Sequence, residues 1–475
     1  ILRGVLVVIA FTTTQISHGS DINNPCGIGK GLFHKYPADC RFYYVCASPT
    51  NAVKTRCPPG LVYRSTTEFC DFNDDDGCDI SKFKGHAGEI VDTNVKTGAK
   101  NGGSCKRVVC FYPRSAQFKK GIGKVMPGNL DPKHCTHLIY GFASIKNGFI
   151  KLGHIDDESS AFYTGMYARI MALREANPSL KILLAIEGSD HAPRSFLTLT
   201  ESSKHQRLRF IQSSIKHLRK FQFDGLAYHW IYPKSGDKMK FTELLKDTKA
   251  AFEDESTKTQ TERLLLTAAV AANVDTAQNG YEIDKIFEHL DFAYLMSFDF
   301  HGPQDPATAH GSPLRAGRWE RGSAGSLNLE KAAEFYANKG APKDRLVLGI
   351  PFHGKTFTLK DEQLNAFGSP SKGPGEMGDY SQEPGTLYYY EICKMITKGA
   401  TVNGIPDQNV PYAYLGNQWV GFDDPASITM KIDFMIFNGY GGVMAWDISQ
   451  DDMSGQFCGA GRFPLMNAVR SACDA

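Results

Sequence analysis

Eight short apolar runs recur between Lys106 and Trp446, separated by stretches long enough to hold a helix. This rhythm constrains the fold more than any other feature of the chain. The runs are Val108–Tyr112, His137–Phe142, Lys181–Ile186, Phe223–Tyr228, Leu264–Val270, Phe292–Ser297, Leu346–Ile350 and Gly442–Trp446. They are rich in β-branched and aromatic residues, as strands are, and the stretches between them have amphipathic helical character. Strands alternating with helices in this number fit a (β/α)8 barrel. A doubly wound sheet is the alternative, but no glycine-rich phosphate loop follows the first run. The stretch over about 353–424 exceeds one helix and carries strand-like runs of its own, such as Val410–Tyr414. It reads as an inserted α+β subdomain.

The barrel region, 105–475, occupies only part of the chain's 475 residues. Val5 to Phe11 is a short apolar run behind Arg3, followed by small and polar residues through Ser20. It reads as the core of an incomplete signal peptide over 1–20, too short to span a membrane. Twelve cysteines behind an export signal point to secretion into an oxidising compartment. Six of them, Cys26, Cys40, Cys46, Cys57, Cys70 and Cys78, crowd into a segment over 24–80 that is too small to fold on apolar burial alone. Disulfides are the natural staple, and the residues alone leave their pairing open. Zinc is disfavoured because no Cys-x-x-Cys pair is present. Asp74, Asp75 and Asp76 read as an acidic turn rather than a calcium site. Residues 81–104, rich in Gly, Lys and Thr, read as a linker. A net charge of +2 without a Lys/Arg block argues against nucleic acid and anionic membranes as partners. No cofactor is expected.

Two resemblances sharpen this outline. The cysteine spacing of 24–80, with Tyr43-Tyr44-Val45-Cys46 and Cys57-Pro58-Pro59-Gly60-Leu61-Val62-Tyr63, resembles the peritrophin-A type chitin-binding module. That resemblance implies Cys26–Cys46, Cys40–Cys78 and Cys57–Cys70 bonds in a small β module. Rings such as Tyr43, Tyr44, Tyr63 and Phe69 are candidates to stack on sugar faces, while some of the module's aromatics form its core.

The run from Phe223 to Pro233 resembles the active-site strand of glycoside hydrolase family 18, the chitinases, and the likeness extends over nearly all of 106–472. The frame of Phe223, Asp224, Gly225, Leu226, Trp230, Tyr232 and Pro233 is present. Carboxylates of the family pattern are replaced by Ala227, His229 and Ile231. In that family a Glu at the place of Ile231 protonates the leaving oxygen. An Asp at the place of His229 orients the substrate's acetamido group, which itself attacks the anomeric carbon. Neither replacement fills those roles, so Asp224, Ala227, His229 and Ile231 are positions of a degenerate motif and no catalytic residue is expected. General acid–base catalysis alone is worth about 10²–10⁴-fold. Ile231 then reads as an apolar residue in a site relieved of a buried carboxyl.

The same resemblance implies sugar-binding roles for Trp446, Met296, Asp299, Tyr232, His353 and Lys355. Aromatic or hydroxyl-bearing positions of the family are occupied by Ser115, Ser189, Phe298 and Gln304, which predicts weakened oligosaccharide binding in the barrel. Cys110–Cys135 and Cys393–Cys458 fall where the family has disulfides. Cys105 and Cys473 remain, and a closed barrel would bring them together. His229 and His353 lack a third ligand for a metal. The expectation is a secreted chitin-binding, chitinase-like protein of a chitin-containing extracellular matrix. Its partners would be chitin or chito-oligosaccharides and matrix proteins. The rivals are a chitinase that retains activity through Glu187 or Asp299, and a signalling lectin of growth-factor type.

Overall fold

The computed structural model describes residues 104–186, 192–318 and 320–474, together with the backbone of five short strands between 33 and 72. The chain divides into two units, Ile1–Lys100 and Asn101–Ala475. In the first, Phe33–Lys35, Phe42–Ser48 and Asn51–Arg56 form an antiparallel sheet, and Leu61–Arg64 pairs with Phe69–Phe72 as a hairpin. Tyr43 and Tyr44 lie on the middle strand, and Tyr63 is in register with Cys70 and Phe69 with Arg64. The segment 1–20, the linker and the three disulfide bonds assigned to 24–80 lie outside the described residues.

In the second unit the eight runs are strands: β1 (Val108–Pro113), β2 (His137–Lys146), β3 (Lys181–Ile186), β4 (Gly225–Tyr228), β5 (Leu265–Ala271), β6 (Phe292–Met296), β7 (Leu346–Pro351) and β8 (Gly442–Trp446). Each is parallel to its neighbours, and pairing of β8 with β1 and of β1 with β2 closes the barrel. A short antiparallel strand, Phe149–Lys151, folds back on β2. Alternation of side chains then divides the core in two. One set, including Val109, Ile139, Leu183, Ala227, Tyr294, Val347 and Met444, fills the barrel interior. The other, including Leu226, Tyr228, Leu295 and Leu348, packs outward on the helices. The helix Lys204–Lys220 illustrates the local logic. Ser203 and Gln206 cap its start reciprocally, and Phe210, Ile211, Ile215 and Leu218 form its buried stripe.

Between β7 and β8 a separate antiparallel sheet uses His353–Leu359 as a central strand, paired with Ser371–Pro374, Thr386–Tyr388 and Gln418–Gly421. Phe357, Leu359, Ile405, Val410, Tyr412 and Trp419 form its own core. Where this insertion returns to the barrel, Lys431 Nζ lies 2.6 Å from Asp423 Oδ2 and donates to Ser312 O, all fully buried. Disulfides join Cys110 to Cys135, Cys393 to Cys458 and Cys105 to Cys473. The last closes the ends of the barrel unit, with Cα atoms 4.9 Å apart. No described helix is long and apolar enough to cross a membrane.

Candidate functional site

The residues on and after β4 sort by parity. Leu226, Tyr228 and Trp230 point outward: Tyr228 Oη lies 2.9 Å from Thr248 Oγ1, and the Trp230 ring stacks on Phe196 at 5.2 Å. Ala227 sits in the barrel interior, and His229 continues that face upward to the C-terminal end. Gly225 begins the strand because a Cβ there would come within 2.3 Å of Leu265 O. Asp224 stands at the opposite end of β4 from the mouth. Its carboxylate accepts from Ile182 N (2.6 Å) and Arg174 Nη2 (2.5 Å), tying the base of β3 to β4. Asp224 is therefore an architectural member of the motif.

At the mouth, rings from four other strands or their ends surround His229. Its imidazole lies parallel to Trp446 (5.3 Å, 1° between planes), with Phe142 at 4.8 Å, Phe111 at 5.8 Å and Tyr294 at 6.1 Å. The Tyr294 hydroxyl is 3.4 Å from Nδ1, and no carboxylate touches the ring among the described residues. Burial alone pushes the His229 imidazole down to about 3, so it is neutral at physiological pH. The ring is packing material in the place where the family pattern has a charge. Trp446, half-buried, also meets Phe111 at 4.3 Å and Phe298 at 5.6 Å.

Beside these rings lies a charged cluster. His353 Nε2 donates to Asp299 Oδ1 at 2.8 Å, and Lys355 Nζ is 3.1 Å from Oδ2. His353 and Lys355 come from the first strand of the insertion, so the second sheet reaches over the barrel to hold a β6-end residue. The Asp299 side chain keeps 47% of its surface accessible, yet enough protein surrounds it to penalise its charge. His353 and Lys355 more than reverse that penalty and hold the carboxyl at about 2.

Met296 is only 4% exposed and belongs to the interior packing. Ile231 lies past the end of β4 and is 37% exposed at the mouth. Tyr232 is half-buried against the interior cluster, while Ser115 and Gln304 are exposed. Glu187 and Ser189 lie outside the described residues. No group of three side chains suited to a metal occurs among the described residues. Phe111, Phe142 and Tyr294 were not singled out by sequence; inward parity on β1 and β6 marks Phe111 and Tyr294, whereas Phe142 reaches the interior cluster where the register of β2 shifts between Gly141 and Ala143, which alternation does not foretell. Asp447, next to Trp446, is buried, and burial raises its carboxyl above the usual range. It accepts from Ser449 N and Gln450 Nε2 (both 2.8 Å), which makes it the cap of the following turn.

A model of the glycosyl hydrolases family 18 matches residues 107–451, and one of the chitin binding peritrophin-A domain matches 26–78. Chitinase-3-like protein 2 of Homo sapiens is 42% identical over 371 residues, covering 78% of this chain and 93% of that protein. The structure of human YKL-39, a pseudo-chitinase with retained chitooligosaccharide binding properties, matches with a TM-score of 0.73 and 40% identity, covering 78% and 100% of the two chains. The immunomodulatory active chitinase TsES1 of Trichuris suis matches with a TM-score of 0.74 and 30% identity, covering 77% and 99%. An active enzyme and a pseudo-enzyme thus share this fold equally well.

Proposed function

The chain belongs to glycosyl hydrolases family 18, and from that premise we propose that it associates with chitin and holds chito-oligosaccharides in its barrel without hydrolysing them. The observation that carries this reading is the inward face at the top of β4, where Ala227, His229 and Ile231 supply no carboxyl. Substrate-assisted cleavage needs a proton donor at the leaving oxygen and an anion near the acetamido group. Ile231 has no proton to give. His229 is neutral, wedged against Trp446, and carries no negative charge.

Asp299 does not fill the gap. With its carboxyl held at about 2, on the order of one molecule in 10⁵ carries the proton at pH 7. Both its oxygens are engaged by His353 and Lys355, so it neither donates nor moves freely. What the mouth retains is a half-buried Trp446 with flanking rings and an ion cluster with polar groups at its edge. That is the composition of a sugar subsite: an apolar face for the pyranose ring and directional groups for its substituents. Human YKL-39, which keeps chitooligosaccharide binding as a pseudo-chitinase, is a relative of the same kind.

The segment matching the peritrophin-A domain supplies a second contact with chitin, and three disulfides in the barrel unit suit an oxidising, extracellular setting such as a chitin-containing matrix. The test is release of fluorophore from a chitotrioside together with retention of the full chain on chitin beads. Retention with release no faster than a heat-inactivated control is the expected result. Turnover above that control, abolished by Glu187→Gln or Asp299→Asn, would overturn the proposal. Restoring Ala227→Asp, His229→Asp and Ile231→Glu together asks whether the remaining cleft still supports the reaction.

A further inference from the structure

The opposite end of the barrel holds a cavity of about 390 Å³. It forms where the chain enters the strands: Arg107 precedes β1, His137 opens β2, Phe292 opens β6 and Arg345 precedes β7. The Arg107 guanidinium lies 5.1 Å from the centre of the Phe292 ring, and His137 meets the same ring edge-on at 5.3 Å. Side-chain pairing around the cavity is uneven. Asp291 is taken by Arg263 (2.5 and 3.0 Å) and by Leu266 N, with Lys249 at 3.4 Å. Arg107 and Arg345 each donate to a single main-chain carbonyl, Asp344 O at 2.8 Å and Phe287 O at 3.1 Å. Neither is within ion-pair distance of a carboxylate among the described residues. Arg107, Lys249, Arg345 and the nearby Arg263 share the field of Asp291, Glu288, Asp344 and Glu253, with Asp344 and Asp291 acting on Arg107 from beyond ion-pair distance.

A guanidinium carries several N–H donors in a planar fork, and most of those on Arg107 and Arg345 are unused by protein. Burial lowers the Arg107 value; Asp344 and Asp291 oppose that shift, and repulsion from Arg345 adds a smaller push in the direction of burial. Burial, then Arg107 and Lys181, press His137 down to about 4, so the imidazole stays neutral. Two half-satisfied guanidiniums that repel one another across a concave surface are what an oxyanion relieves.

We propose that this basal cavity binds a tetrahedral oxyanion, a sulfate or phosphate group, between Arg107 and Arg345. The site lies at the far end of the strands from Trp446, so its occupancy is independent of sugar at the mouth. Calorimetric titration of the full chain with sodium sulfate and with sodium phosphate, at ionic strength matched by sodium chloride, tests it. Saturable binding to one site is expected, weakened at least about tenfold in Arg345→Gln and in Arg107→Gln. Melting curves in chloride verify that both variants are folded. A sulfated disaccharide and its desulfated counterpart separate the sources. Tighter binding of the sulfated sugar than of inorganic sulfate assigns the cavity to a sulfated glycan, and equal binding assigns it to the free ion. Heats no different from chloride, or binding unchanged in both folded variants, overturn the proposal.

Discussion

The outward face of β4 and its extension carries Leu226, Tyr228 and Trp230, each at most 2% exposed and each seated against helices. The alternate positions carry Ala227 in the barrel interior, His229 among the rings of the mouth and Ile231 at a partly open rim. Of the outward residues Leu226 and Trp230 belong to the frame that the resemblance to the family rests on; Ala227, His229 and Ile231 stand where that resemblance implies carboxylates. The contrast shows that the two sets answer to separate demands. Outward residues are fixed by close packing, where loss of a side chain leaves a cavity. Inward residues at the top are fixed by chemistry, and when no charge is required there, neutral groups of fitting shape suffice. Asp224 extends the point along the strand: a carboxylate of the motif persists where it ties β3 to β4, at the end remote from the mouth.

The comparison can be broken most sharply on its outward side. Trp230→Ala should cost about 3–5 kcal/mol in denaturant unfolding; a loss under about 1 kcal/mol would mean that the frame is not held by packing. Asp224→Ala should cost about 2–3 kcal/mol, less than a fully buried pair, because both partners are 24% exposed. Inward changes should act on ligand rather than on the fold. Trp446→Ala is expected to weaken chito-oligosaccharide binding by the barrel about tenfold, some 1.4 kcal/mol, read by titration calorimetry.

The smallest effect at neutral pH belongs to His229→Phe, under about 1 kcal/mol, since the ring already behaves as an uncharged aromatic. Its signature is in the pH dependence. His229 sits at about 3 in the folded chain against roughly 6.5 unfolded. Between those values the unfolded state binds the proton and the folded state does not. The stability contribution is therefore complete above about pH 6.5 and lost as pH falls toward 3, at up to about 1.4 kcal/mol per unit. The Phe variant should lose that increment of acid sensitivity, and an unchanged acid limb would show that His229 is not buried neutral.

The barrel was legible because strand periodicity and helix-length spacing are local properties. The runs Lys181–Ile186 and Gly442–Trp446 coincide with β3 and β8. β4 begins two residues inside its apolar run, at Gly225, because Asp224 turns its carboxylate to Arg174 and Ile182 N instead of extending the strand. The mouth was less legible. Spacing along the chain does not say where β4 leaves the barrel interior, and Ile231, past the end of that strand, is 37% exposed. Met296 was read as a ligand contact and is packed inside.

The sequence by itself determined the element rhythm, the frame of the 223–233 strand and the absence of a carboxyl at 227, 229 and 231, because each depends on neighbours along the chain. Tertiary structure decided that His229 is a neutral ring under Trp446, that Asp299 is locked by His353 and Lys355, and that Arg107 and Arg345 share a cavity. Exposure, ionisation and ring contact are set by whatever lies a few ångströms away through space. In a barrel those neighbours come from strands far apart in the chain.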